Sequence, residues 1–299
     1  PSQCKSRSLR AALHPDTARK FYESVPAPGE DDWLRIREEK GQTFSQYKAK
    51  YRPLKKPAPP ILIIPAVYRG LDSDSEEESE EEGEGESMGG GLDPQAVVEY
   101  VRAFYYPCPV VLLDTLDLKQ HRVKMRDNDG DTQFYAPEIL RKVKSILSGR
   151  QYSAAAVMTT HDIYHREDWN FVFGLAQGGV SIFSFYRFLP SFTGAPEVKH
   201  PRDVTLWRSV RTAVHELGHC LGLRHCIYYK CIMNGSNHID ESDSRPLSLC
   251  PVCLRKVSHR LGGGVLTRYR GIAEWYRVHG FTEQLERCEA VIRHIEGSK

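Results

Sequence analysis

No stretch of this 299-residue chain is apolar for long enough to cross a bilayer: the run Ile-Leu-Ile-Ile at 61–64 is cut by Pro65, far short of the ~20 residues a span needs. A membrane partner is therefore not expected. The opening "PSQCKSRSLRAALHPDT" has basic residues but lacks the apolar core of a secretory signal, so a chain that natively starts here is expected inside the cell, cytoplasmic or nuclear. No internal repeat is visible, which excludes a solenoid. No stacking-aromatic motif accompanies the basic residues, so nucleic acid is not an expected partner. What the chain does have is eight cysteines. It is too large for a disulfide-stapled mini-domain, and in a reducing compartment clustered cysteines more often hold metal than one another.

Apolar residues make up 40% of the chain, enough for a real core. The near-neutral charge hides an asymmetry. Residues 71–91, "LDSDSEEESEEEGEGESMGGG", contain ten of the 39 acids and no base, so elsewhere 41 basic residues face 29 acidic ones. That segment cannot bury enough surface to offset the entropy of ordering it, and we read it as a disordered insertion in a loop.

Around it, strands and helices alternate. "ILIIPAV" (61–67), "VVLLD" (110–114), "AAAVMTT" (154–160) and "GGVSIFSF" (178–185) read as strands, with Pro94 and Pro137 opening helices between them. "HDIYHREDWN" (161–170) reads as a loop. The alternation predicts an α/β layer with a largely parallel sheet, and the patterns after residue 215 are mostly helical.

From Trp207 onward, Val210, Val214, Leu217 and Leu221 follow the three-four rhythm of one buried helical face. His215 and His219 stand one turn apart on a neighbouring face, so their imidazoles can reach a common point and form half of a tetrahedral zinc site. Glu216 sits beside the first ligand, where it can take a proton from a metal-activated water. Gly222, three residues on, can end the helix with a sharp turn that swings His225 back as third ligand. Three histidines leave the fourth position open, as catalytic zinc requires.

A second pattern begins at the next residue. Cys226 and Cys231, then Cys250 and Cys253 in "CPVC", are two sulfur pairs across a short loop, the composition of a closed four-thiolate zinc site. Its role would be to pin the loop carrying Met233 to the helix that follows. A redox Cys-x-x-Cys and two disulfides are the other readings. Cys4, Cys108, Cys220 and Cys288 fit no partner pattern, and Cys220 reads as mid-helix packing.

These residues resemble a known family. His215, Glu216, His219, Gly222 and His225, followed by Met233, look like the signature and Met-turn of the metzincin zinc peptidases. The interleaved cysteines are similar to those of the archaemetzincins, as are "WNFVFGLAQGGVSIFSFYRF", "CPVCLRKV" and, more loosely, "GQTFSQYKAKYRP". The likeness covers about residues 30–60 and 92–262. It implies an α/β (α+β) metzincin-like fold: a mixed five-stranded sheet with helices above a zinc cleft, and a small, mainly helical C-terminal subdomain. The expected organisation is an N-terminal extension (1–29), a catalytic domain (30–262) holding a structural zinc element at 226–253, and a helical C-terminal extension (263–299). "GGVSIFSF" would be the edge strand to which an extended peptide adds, and Met233 the floor beneath the metal. Some metzincins carry a tyrosine two residues after that methionine; here the position is Gly235, with His238 and Tyr186 as other candidates to stabilise the oxyanion.

The expected activity is zinc-dependent hydrolysis of peptide bonds in a peptide or protein substrate, with Glu216 as general base and two zinc ions per chain, one catalytic and one structural. Two other readings compete: a non-catalytic, zinc-stabilised peptide- or protein-binding module, and hydrolysis of a non-peptide amide.

Overall fold

The computed structural model describes residues 2–69, 93–189, 192 and 201–298, apart from the side chains of 2–6 and 201–203. The acidic segment 71–91 lies outside the described residues, as does the side chain of Cys4. The chain forms two compact units, one of residues 60–98 and 110–220, the other of residues 1–59, 99–109 and 221–299.

The first of these carries the strands: β1 (Ile61–Val67), β2 (Val110–Leu112), β3 (Leu116–Asp117), β4 (Met125–Asn128), β5 (Asp131–Tyr135), β6 (Ala154–Thr159), β7 (Asp162–Tyr164), β8 (Gly174–Gln177) and β9 (Val180–Ser184). The main sheet runs β2-β1-β6-β9-β8, five strands across as expected, with β3 a sixth segment that pairs β1 beyond β2. The first four strands are parallel and β8 is antiparallel, so the sheet is mixed. β1 and β6 are buried along almost their whole length, as interior parallel strands covered on both faces should be. On one face Leu62, Ile64, Ala155, Val157, Val180 and Ile182 pack with Ile139, Leu140 and Val143 of helix Ala136–Ile146. Helix Pro201–Cys220 packs on β6, β8 and β9.

Two readings are corrected here. "GGVSIFSF" does not form the edge: β9 lies inside the sheet between β6 and β8, and β8 is the edge. The reason is the turn. Gly178 and Gly179 both have positive φ (61° and 83°), as the two central residues of a type I′ hairpin must, so the chain doubles back and Gln177 pairs with Val180. The stretch 161–170 is not all loop either, because β7 joins β5 and β4 in a second, three-stranded sheet.

The other unit is mainly helical, with Ser2–Ala12, Pro15–Phe21, Trp33–Ile36 and Phe44–Lys50 before the strands and Ile239–Asp243, Pro251–Leu261, Val265–Val278 and Thr282–Gly297 after them. The two ends of the chain meet in it. Helix Ser2–Ala12 packs on the last two helices, and Thr17 Oγ1 lies 2.9 Å from His294 Nε2. Among the described residues no helix is long and apolar enough to cross a membrane.

Candidate metal centres and catalytic carboxylate

Helix Pro201–Cys220 buries Val210, Val214 and Leu217 completely, with Leu221 just past its end, so the three-four rhythm of the sequence is its core face. His215 and His219 follow on the adjoining stripe, and their Nε2 atoms stand 3.0 Å apart. Two imidazole nitrogens on one tetrahedral zinc, each at ~2.05 Å, would be about 3.3 Å apart, so the pair already has a ligand's spacing. Glu216 lies between them in the sequence. It is 7% exposed and lies against the backbone of the edge strand: a β-carbon added to Gly174 would be 2.7 Å from its Cγ and Oε1. Burial pushes its carboxyl up to about 8.

The helix ends at Cys220, which is therefore its last residue rather than a mid-helix one; burial pushes that thiol up to about 12. Gly222 makes the turn with φ 95°, and a β-carbon there would sit 2.4 Å from the Tyr51 ring, so both the conformation and the packing demand glycine. Within this one continuous run His215, His219 and His225 each offer a ligand atom within 4.8 Å of the others. The turn itself is held from upstream. Gln42 donates through Nε2 to Gly222 O (3.2 Å) and accepts from Arg224 N (3.4 Å). His225 Nδ1 lies 2.7 Å from Glu39 Oε1, and the Trp33 ring stands edge-on to the imidazole at 5.2 Å.

Cys226, Cys231, Cys250 and Cys253 are all buried, with their sulfurs within 4.8 Å of one another. Cys226 and Cys250 Sγ are 3.6 Å apart, too far for a disulfide and close to the ~3.8 Å between two thiolates on one tetrahedral zinc. Backbone N–H groups already face the sulfurs, Cys250 N and Met233 N toward Cys231 Sγ and Cys253 N toward Cys250 Sγ. Hydrogen bonds from the other three thiols, that of Cys231 foremost, draw Cys226 far below the ordinary thiol range. Burial holds Cys231 well above that range, while the contact with Cys226 does most to raise Cys253. A divalent cation with thiolate ligands is what such a donor set accommodates.

Met233 is fully buried and joins the two patterns: its carbonyl accepts from Cys226 N at 2.7 Å. Its neighbour Asn234 organises the loop, donating to Cys226 O (2.6 Å) and Tyr229 O (3.0 Å) and accepting from Cys231 N (2.7 Å). Gly235 is filled from outside. A β-carbon there would meet Trp33 at 2.6 Å and His225 Nδ1 at 2.8 Å, so no tyrosine fits. The two other oxyanion candidates are engaged elsewhere: the Tyr186 hydroxyl donates to Asp131, and His238 lies between Asp32 Oδ1 (3.1 Å) and Glu241 N (3.2 Å). Asp32, His238 and Glu241 come together closely enough to suggest a third metal site. Their atoms are occupied instead: Glu241 accepts from Trp33 N, Asn237 N and Arg245, and Asp32 from Gly29 N.

Sequence reasoning therefore named the seven ligand candidates and Glu216, and missed the groups that hold them. Gly174, Asn234, Glu39, Trp33 and Gln42 carry no spacing signal of their own. Only Asn234, next to the motif methionine, was within reach of local inspection.

Residues 115–259 match the model of Peptidase family M54. The chain is similar to archaemetzincin-2 of Mus musculus, 30% identical over 307 residues that span 91% of this chain and 79% of that protein. It is similar also to the archaemetzincin of Pyrococcus furiosus, 42% identical over 119 residues covering 38% of this chain and 60% of that one. Among solved structures, archaemetzincin from Archaeoglobus fulgidus aligns over 66% of this chain and 99% of its own, at 24% identity and a TM-score of 0.43.

Proposed function

As a member of peptidase family M54, the archaemetzincins, this chain is a zinc metallopeptidase, and we propose that Glu216 is its general base, with His215, His219 and His225 holding the catalytic zinc. Cys226, Cys231, Cys250 and Cys253 would hold a second, structural zinc, giving two per chain. Zinc when bound supplies the Lewis acidity that polarises the scissile carbonyl. The rest falls to the protein. The outer edge of β8, which pairs with no further strand among the described residues, would offer backbone donors and acceptors to an extended peptide. Glu216, packed on that strand at Gly174, would accept a proton from the attacking water and pass it to the leaving amine. Its burial lifts its proton affinity out of the ordinary carboxylate range, toward that of a working base. With Tyr186 and His238 both engaged, the protein's own contribution at the developing oxyanion would fall to backbone N–H groups.

The observation that carries this reading is the juxtaposition, in one eleven-residue run, of three histidines whose ligand atoms come together with a buried carboxylate packed against the edge strand. The test is cleavage of a diverse peptide mixture by the zinc-loaded protein, mapped by mass spectrometry beside Glu216→Ala. Turnover should vanish in the variant while both zinc ions remain bound. Wild-type cleavage by Glu216→Ala would remove Glu216 from the mechanism. No cleavage by either protein, with zinc bound in both, would favour a binding module.

A further inference from the structure

We infer that residues 33–42, which supply no zinc ligand, form the positioning element of the third histidine, with Glu39 as its central group. The inference rests on the assignment of His225 to the catalytic zinc.

The geometry is specific to one nitrogen. A carboxylate oxygen only accepts hydrogen bonds, so the imidazole nitrogen 2.7 Å from Glu39 Oε1, which is Nδ1, carries the ring proton. The lone pair is then on Nε2, the remaining donor atom. Histidine would otherwise distribute the proton between two tautomers and swing about χ1 and χ2; Glu39 fixes the tautomer and the ring together. A carboxylate behind a metal-bound imidazole also raises its basicity, which strengthens its bond to a cation.

Glu39 is itself held. The same Oε1 accepts from Trp33 Nε1 at 3.0 Å, and Trp33 N donates in turn to both carboxylate oxygens of Glu241 at 3.0 and 3.1 Å. The Trp33 ring packs edge-on against the imidazole and fills the space that Gly235 leaves empty. Three residues beyond Glu39, Gln42 is 6% exposed and uses both ends of its amide on the turn that carries His225, bonding Gly222 O and Arg224 N. Gly41, at φ 62°, approaches the following residue pair so closely that a β-carbon would meet Ile227 at 2.8 Å. The turn 222–228 is thus bracketed on its carbonyl, its amide and its imidazole by four residues of a segment 180 or more positions upstream, Trp33, Glu39, Gly41 and Gln42. His215 and His219 need no such support, because a helix already sets their spacing. The third ligand sits on irregular chain, and its order is imported.

The test is metal affinity at each site, read without reference to activity. Cobalt(II) titration separates them, since thiolate ligands give intense sulfur-to-metal charge-transfer bands and the histidine site only weak ligand-field bands; competition with a chromogenic chelator then gives zinc affinities. Glu39→Ala should weaken the histidine site 10- to 100-fold and leave the thiolate site unchanged. Glu39→Gln keeps the size and a neutral acceptor, and should fall between Glu39→Ala and wild type. His225→Ala marks complete loss of the third ligand. Wild-type affinity at the histidine site in Glu39→Ala would overturn the inference, and so would parallel weakening of both sites, which would make Glu39 a general stabiliser. If wild type and His225→Ala bind the same amount of metal, the assignment of His225 fails, and the inference falls with it.

Discussion

Gly174 and Glu216 are in backbone-to-carboxylate contact, close enough that a single added methyl would stand 2.7 Å from the Cγ and Oε1 of the glutamate. The side chain proposed as general base is therefore positioned by the absence of a side chain on the edge strand.

Gly174→Ala should displace Glu216 by the better part of an ångström. Misplacements of that size in a reacting group cost up to about 100-fold in rate. We expect kcat/KM to fall 10- to 100-fold with zinc content unchanged, because neither histidine of the helix touches residue 174's missing β-carbon among its nearest atoms. Steady-state kinetics beside metal analysis would check this. Loss of zinc together with activity would mean that the glycine supports the helix rather than the carboxylate.

Cys253→Ser should affect both metals. The thiolate set loses a ligand, and Cys226, peptide neighbour of His225 and bonded through its N–H to Met233 O, loses its anchor. The expected outcome is loss of the structural metal, a lower Tm, and about tenfold weaker zinc binding at the histidines. Cobalt(II) spectra and thermal unfolding would report the two effects separately. A normal histidine site in a protein that has lost the thiolate metal would show that the sites are independent.

Gly235→Ala should destabilise by about 1–3 kcal/mol, as overpacking of a filled site does, because the methyl meets Trp33 and His225. Trp33→Ala opens that space. In the double variant the clash is relieved, so its loss of stability should be smaller than the sum of the two single losses by about 1 kcal/mol or more. Denaturant unfolding of the four proteins measures the difference; strict additivity would place the alanine methyl somewhere other than against Trp33.

What the sequence disclosed and what it withheld divide along a physical line. The pairing of His215 with His219 and the bounds of β1 at 61–67 were legible because helical and strand periodicities act within a few residues. The edge strand was not. β8 is four residues long, begins with glycine and shows no alternation, and the turn that makes it an edge was read as the start of the next strand. The hairpin β4–β5 did carry a signal, since Asp129-Gly130 occupies its two-residue turn with both φ positive, at 56° and 90°. Glu39, Trp33 and Gln42 lie beyond any local rule: their meaning comes only from the tertiary contact with residues 222–225.

That contact has a bearing on when the protein becomes competent. Glu39 and His225 are 186 positions apart in the chain, and the fourth sulfur comes later still, at Cys253. During synthesis Glu39 emerges long before its partner, and a nascent chain that has exposed only the helix with His215 and His219 still lacks the third candidate ligand and the four clustered cysteines. Long-range closure of this kind is a late folding event. The segment 33–42 is thus already made when the residue it positions appears, and the proposed pair of metal sites can be completed only once synthesis has passed Cys253.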